Sequence, residues 1–148
     1  MSSKVPIAYI DIRVFAHATE DHEKVLTAVR NLLPLEFLET IEFRTANLTG
    51  YHGNPIVLYS ARLKDKNAVQ KVFEKIASSI GILDKELLSN EIAQHVDSGN
   101  LYLRLDKQSA YLNKLRFHQT DPIHLKIHFK KHKPEEIVEI CRKAGLLP

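Results

Sequence analysis

Eight histidines and one cysteine are the side chains best suited to metal or nucleophilic chemistry. Their spacing argues against both. His124, His128 and His132 recur every fourth residue, and along a strand rising ~3.3 Å per residue neighbouring rings would stand roughly 13 Å apart, too far to share an ion. His17 and His22 straddle a helix start with no third ligand nearby in sequence. Cys141 falls in the apolar stripe of a helix, where a thiol packs as a small hydrophobe. Gly-rich phosphate loops, nucleophile elbows and paired-cysteine zinc spacings are missing. The carboxylates of Glu135, Glu136 and Glu139 read as helix solvation and dipole compensation. No catalytic residue, metal or cofactor is expected, and so no enzyme.

What remains is a distribution of cations. Residues 1–100 carry 11 Lys/Arg against 13 Asp/Glu, whereas residues 101–148 carry 10 against 5. Positive charge gathered in one third of a chain suits a surface that meets a polyanion. Two late segments alternate strictly. If Ile123, Leu125, Ile127 and Phe129 face a core, then His124, Lys126, His128 and Lys130 face away from it. Tyr102 and Arg104 do the same beside Leu101, Leu103 and Leu105. An open sheet bearing cations beside rings suits RNA, because cations meet phosphates while rings or guanidinium planes stack on splayed bases. Lys107, Lys114 and Arg116 would extend the basic region. In the loop from Gly50 to Pro55, the side chains of Tyr51, His52 and Asn54 suit contact with a base or ribose. The plainer reading is a solvated antiparallel sheet whose lysines discourage aggregation.

The elements that must position these residues are legible from periodicity. Residues 5–16 alternate as a half-buried strand, and Tyr9, Arg13 and Phe15 lie on its polar side. Thr19 offers an N-cap to a helix running to Pro34. Residues 39–47 and 55–63 read as a hairpin. Asp65 caps a helix closed by Gly81, a shorter helix runs from Asp84 to His95, and Asp97, Ser98 and Gly99 make a turn. Strands over 101–105 and 123–129 follow, then a helix from Pro134 to Gly145. The order predicts an α+β fold of the split βαβ type, with a largely antiparallel sheet of about five strands and helices on one face. With 148 residues and 44% apolar content, one domain over residues 1–148 is expected. No window is long and apolar enough to span a membrane, and the lone cysteine fits a reducing compartment.

The segments His17 to Asp21 (HATED), Gly53 to Ile56 (GNPI) and Gly99 to Leu112 (GNLYLRLDKQSAYL) resemble the archaeal family of exosome-related RNA-binding proteins, in that family's order. The resemblance implies a fold similar to the ribosomal protein that binds five-S RNA. It also implies a cytoplasmic setting and RNA, exosome or ribosomal components as partners, without catalysis. Its prominent positions are His17, the Gly53 to Pro55 turn and the Gly99 to Gln108 stretch.

The expected function is non-catalytic RNA binding through Tyr102, Arg104, Lys107, Lys114, Arg116, His124, Lys126, His128 and Lys130, with His52 and Asn54 contributing from the loop. One alternative is a homodimerisation or protein-docking subunit that uses the same sheet. Another is an enzyme acting on RNA or nucleotides, which would need His and carboxylate groups converging in space.

Overall fold

A computed structural model describes residues 5–50 and 52–148. Among these residues six strands form one sheet: β1 (Ile7–His17), β2 (Arg44–Thr49), β3 (Pro55–Leu63), β4 (Val96–Asp97), β5 (Asn100–Leu105) and β6 (Ile123–Phe129). Their order is β2-β3-β1-β6-β5-β4, and each neighbouring pair is antiparallel. β1 and β2 therefore run the same way with β3 inserted between them, which is the split βαβ arrangement. The strand beyond the expected five is β4, two residues long. It pairs with β5 across a tight turn in which Ser98 and Gly99 hold φ of 52° and 85°.

Among the described residues six α-helices accompany the sheet: α1 (His22–Arg30), α2 (Lys66–Ser79), α3 (Ile82–Asn90), α4 (Ile92–His95), α5 (Lys107–Tyr111) and α6 (Pro134–Ala144). Ile10, Ile12 and Val14 of β1, Leu101, Leu103 and Leu105 of β5, and Ile123, Leu125, Ile127 and Phe129 of β6 are buried on one side of the sheet. They join Val29, Val72, Phe73, Ile76, Leu88, Ala110, Ile137 and Cys141 from the helices in a single cluster. Phe73 meets Phe129 edge-on at 6.1 Å between centroids. Each such aliphatic or aromatic side chain contributes about 2 kcal/mol over its exposed state, so the period of two fixes which face the helices cover.

Several boundaries differ from the sequence reading, each for a local reason. Asp21, not Thr19, caps α1, its carboxylate accepting from the Glu23 N–H at 3.0 Å, because residues 17–20 close a turn first. α1 stops at Arg30, short of Pro34. β2 starts at Arg44 because Leu35–Phe37 form a 3-10 turn instead of leading into a strand. Gly81 caps α3 at its start, and the run to His95 divides at Glu91 into α3 and α4. α5 went unread because five residues are too few for a helical period, although Asp106 caps it by accepting from Ser109 N–H and Oγ. Burial alone would raise the Asp106 pKa, but those bonds outweigh it and hold the carboxyl below its ordinary value. Among the described residues no helix is long and apolar enough to cross a membrane.

Candidate nucleic-acid interface

Strand pairing places the outward side chains in rows across the uncovered face. Directly paired residues share a face. One row therefore runs Arg44, Ser60, Arg13, His124, Arg104 over β2, β3, β1, β6 and β5. At ~4.8 Å per strand it spans roughly 19 Å. The next row toward the start of β1 runs Arg62, Asp11, Lys126, Tyr102, and beyond it stand Tyr9, His128 and Asn100. Five Lys/Arg thus face out against one carboxylate, that of Asp11.

The Asp11 carboxylate is consumed within this face. Arg62 donates to both its oxygens, at 2.7 and 2.9 Å, which raises the guanidinium pKa above its ordinary value. The same guanidinium lies 4.1 Å over the Tyr9 ring. Tyr9 stacks in turn on His128 at 4.7 Å, and His128 donates through Nδ1 to the side-chain Oδ1 of Asn100 at 2.7 Å. Burial, with His132, Lys126 and Arg62 nearby, lowers the His128 pKa. This corner is internally paired, with the Tyr9 ring between the Arg62 guanidinium and the His128 ring.

The Arg13 row is different. Among the described residues Arg13 and Arg44 have no carboxylate partner, and Arg104 bonds only the neutral Gln119 amide at 2.8 Å. His124 sits between Arg13 and Arg104; burial first, then these two cations, lower its pKa, with Asp121 opposing them. Phe15 approaches His124 edge-on at 6.5 Å. Tyr102, 39% exposed, makes no ring contact among the described residues and lies directly opposite Lys126. Unpaired cations along a line, with an accessible ring beside it, produce a positive potential able to hold a chain of phosphates.

Where β1 leaves the sheet, a second constellation forms. His17 Nε2 meets Asp121 Oδ1 at 3.1 Å, and Glu20 completes a triad close enough to chelate an ion. Sequence spacing could not reveal this third ligand, since Asp121 is distant from His17 in the chain. Lys107 fills the focus instead. Its Nζ donates to Asp121 Oδ2 at 2.8 Å, to Glu20 Oε1 at 3.1 Å and to the Phe15 carbonyl at 2.6 Å. The positive charge among these two carboxylates is thus supplied by the protein's own ammonium.

Lys107 therefore does not extend the basic surface, contrary to the sequence reading. Its side chain is 11% exposed because α5 aims it inward. Lys114 and Arg116 also lie elsewhere, lining a groove against the start of α3. Lys130 follows the last residue of β6, exposed, with its N–H bonded to the Pro6 carbonyl. His52 and Asn54 are exposed on the β2–β3 turn, whose tip projects beyond the end of β1; Tyr51 lies outside the described residues. The chain turns after Phe129, so His132 comes within 6.2 Å of His128 and the extended-strand spacing does not hold there. His22 is apart from all of these, against the Tyr59 hydroxyl at 3.1 Å. Cys141 is buried, its pKa pushed up to about 12 by burial.

Sequence reasoning missed Arg44 and Arg62 as face residues. The period of two could have placed Arg62, but its register against Asp11 is a tertiary fact. Arg44 lies inside the expected 39–47 strand, but β2 is exposed along its whole length, so no buried alternation marks which face it joins.

These features define a class: α+β proteins with helices on one side of an antiparallel sheet and a cation-bearing surface left open on the other. The family described as RNA binding matches residues 9–129, and the chain belongs to it. The RNA-binding protein PAB1135 of Pyrococcus abyssi is 36% identical over 148 residues, covering 97% of this chain and 96% of that protein. The uncharacterized protein MJ0213 of Methanocaldococcus jannaschii is 34% identical over 139 residues, covering 88% and 93%. The solved structure of Mth689, a DUF54 protein from Methanothermobacter thermautotrophicus, superposes with a TM-score of 0.76 at 30% identity, covering 96% of this chain and 98% of that one.

Proposed function

We propose that the uncovered sheet face binds RNA without catalysing a reaction on it. The phosphate backbone crosses the strands along Arg44, Arg13, His124 and Arg104. Lys126 and Lys130 add charge on its flank, and Tyr102 offers a ring to one base. Asn54 and His52 stand at the turn beyond the far end of the face. The observation that carries this reading is the line of cations without carboxylate partners on the one face that the helices leave open. Membership of the RNA-binding family and the name of the Pyrococcus relative support the same polyanion. Contacts of this kind are mostly to phosphate, so sequence preference is weak. The resemblance of the HATED, GNPI and GNLYLRLDKQSAYL segments supports a role accessory to RNA processing or degradation, exosome-related.

Fluorescence anisotropy with labelled oligo(U), repeated over a salt series, tests the reading. Neutralising about four to six phosphates on a single strand gives a log–log salt slope of roughly −3 to −4. Arg13→Glu with Arg104→Glu is expected to abolish measurable binding while the circular dichroism spectrum stays unchanged. Retained affinity in that folded variant would reject this face.

A further inference from the structure

The shallow groove that receives Lys114 and Arg116 has a volume of about 560 Å³ and a two-sided character. One wall is the start of α3, where Ile82 and Leu83 are 59% and 77% exposed. Leu87, one turn after Leu83 on the same side of the helix, is 46% exposed, so α3 buries only Leu88 of its large aliphatics. The opposite wall is the segment 113–116. Among the described residues neither the Lys114 ammonium nor the Arg116 guanidinium has a carboxylate partner. Asp84 also lines the groove, accepting from the Phe117 N–H at 3.1 Å, and the two cations outnumber it along the lining.

An aliphatic strip facing two unpaired cations is complementary to one kind of occupant. We propose that this groove docks a short acidic and aliphatic peptide segment of a protein partner. Leu or Ile side chains of the segment cover Ile82, Leu83 and Leu87, and flanking Asp or Glu residues pair with Lys114 and Arg116. RNA fits less well: leucine and isoleucine give bases no ring or guanidinium plane to stack on, and two cations hold few phosphates. The inference is independent of the sheet-face reading, since it uses none of the same residues. Together the two surfaces describe an adaptor, with one side for a polyanion and another for a protein.

The test uses the full chain as bait for a random-peptide phage library. Enriched peptides are expected to join Leu or Ile to Asp or Glu. Lys114→Glu with Arg116→Glu is expected to weaken a selected peptide about tenfold, as two lost surface charge pairs would. Leu83→Ser should weaken it too, and saturating oligo(U) should not displace it. Enrichment of basic peptides, or none, overturns the proposal. So does displacement by oligo(U), which would return the groove to RNA. Sedimentation equilibrium closes the remaining route: a dimer dissolved by Leu83→Ser would assign the strip to a second copy of this chain and overturn the proposal as well. Leu83, Lys114 and Arg116 are all exposed, so these variants should fold.

Discussion

Arg13 and His124 stand directly opposite each other across the β1–β6 ladder, on the face the helices leave open. Burial first, then this guanidinium and Arg104, resist protonation of the imidazole. A phosphate laid over the pair would reverse that balance.

Binding is therefore expected to take up a proton at His124. The free protein holds this imidazole below its ordinary pKa, and neighbouring phosphates raise it, so affinity for oligo(U) should increase as pH falls through about 6.5. Anisotropy titrations at several pH values check this. In His124→Gln the pH dependence should flatten; an unaltered profile would place the phosphates away from His124.

Stability should move the opposite way. His124 and His128 both have folded-state pKa values below the ordinary histidine value. Above about pH 6.5 both states are neutral and nothing is lost. Below it the unfolded chain takes protons that the folded face resists, so stability declines as pH falls through the lowered folded values. Thermal melts near neutral pH and about one to two units lower should show a fall in Tm, smaller in His124→Gln.

Lys107→Met should destabilise the fold by about 2 kcal/mol. It strands the Glu20 and Asp121 carboxylates together and removes the donor from the Phe15 carbonyl. Urea titration measures the loss. RNA affinity of the folded fraction should be unchanged, since this ammonium holds β1 to α5 and is not free for phosphate; a selective loss of affinity would contradict that assignment.

Gly99→Ala should cost about 1 to 2 kcal/mol. Gly99 has φ of 85°, and an added Cβ would lie 2.8 Å from His132 Nδ1 and 3.3 Å from the Lys131 carbonyl oxygen. The β4–β5 turn would loosen, and hydrogen exchange at Leu101 and Val96 should report it before global unfolding does.

The sequence by itself determined that Ile123, Leu125, Ile127 and Phe129 are buried and that His124, Lys126 and Tyr102 face outward. That alternation is local: a residue and its second neighbour share a face whatever the strand pairs with. It also determined the α+β class and the split βαβ order, because the periods of two and of about 3.6 succeed one another along the chain.

Only the tertiary structure decided which outward residues become neighbours. Arg44, Arg13, His124 and Arg104 form one row because of pairings between distant strands, set by how the whole core closes. The same closure drew Lys107 inward to Asp121 and Glu20, joined Lys114 and Arg116 to α3, and spent Asp11 on Arg62. A charge's role depends on what stands within a few ångströms of it, and for these residues those neighbours come from remote parts of the chain.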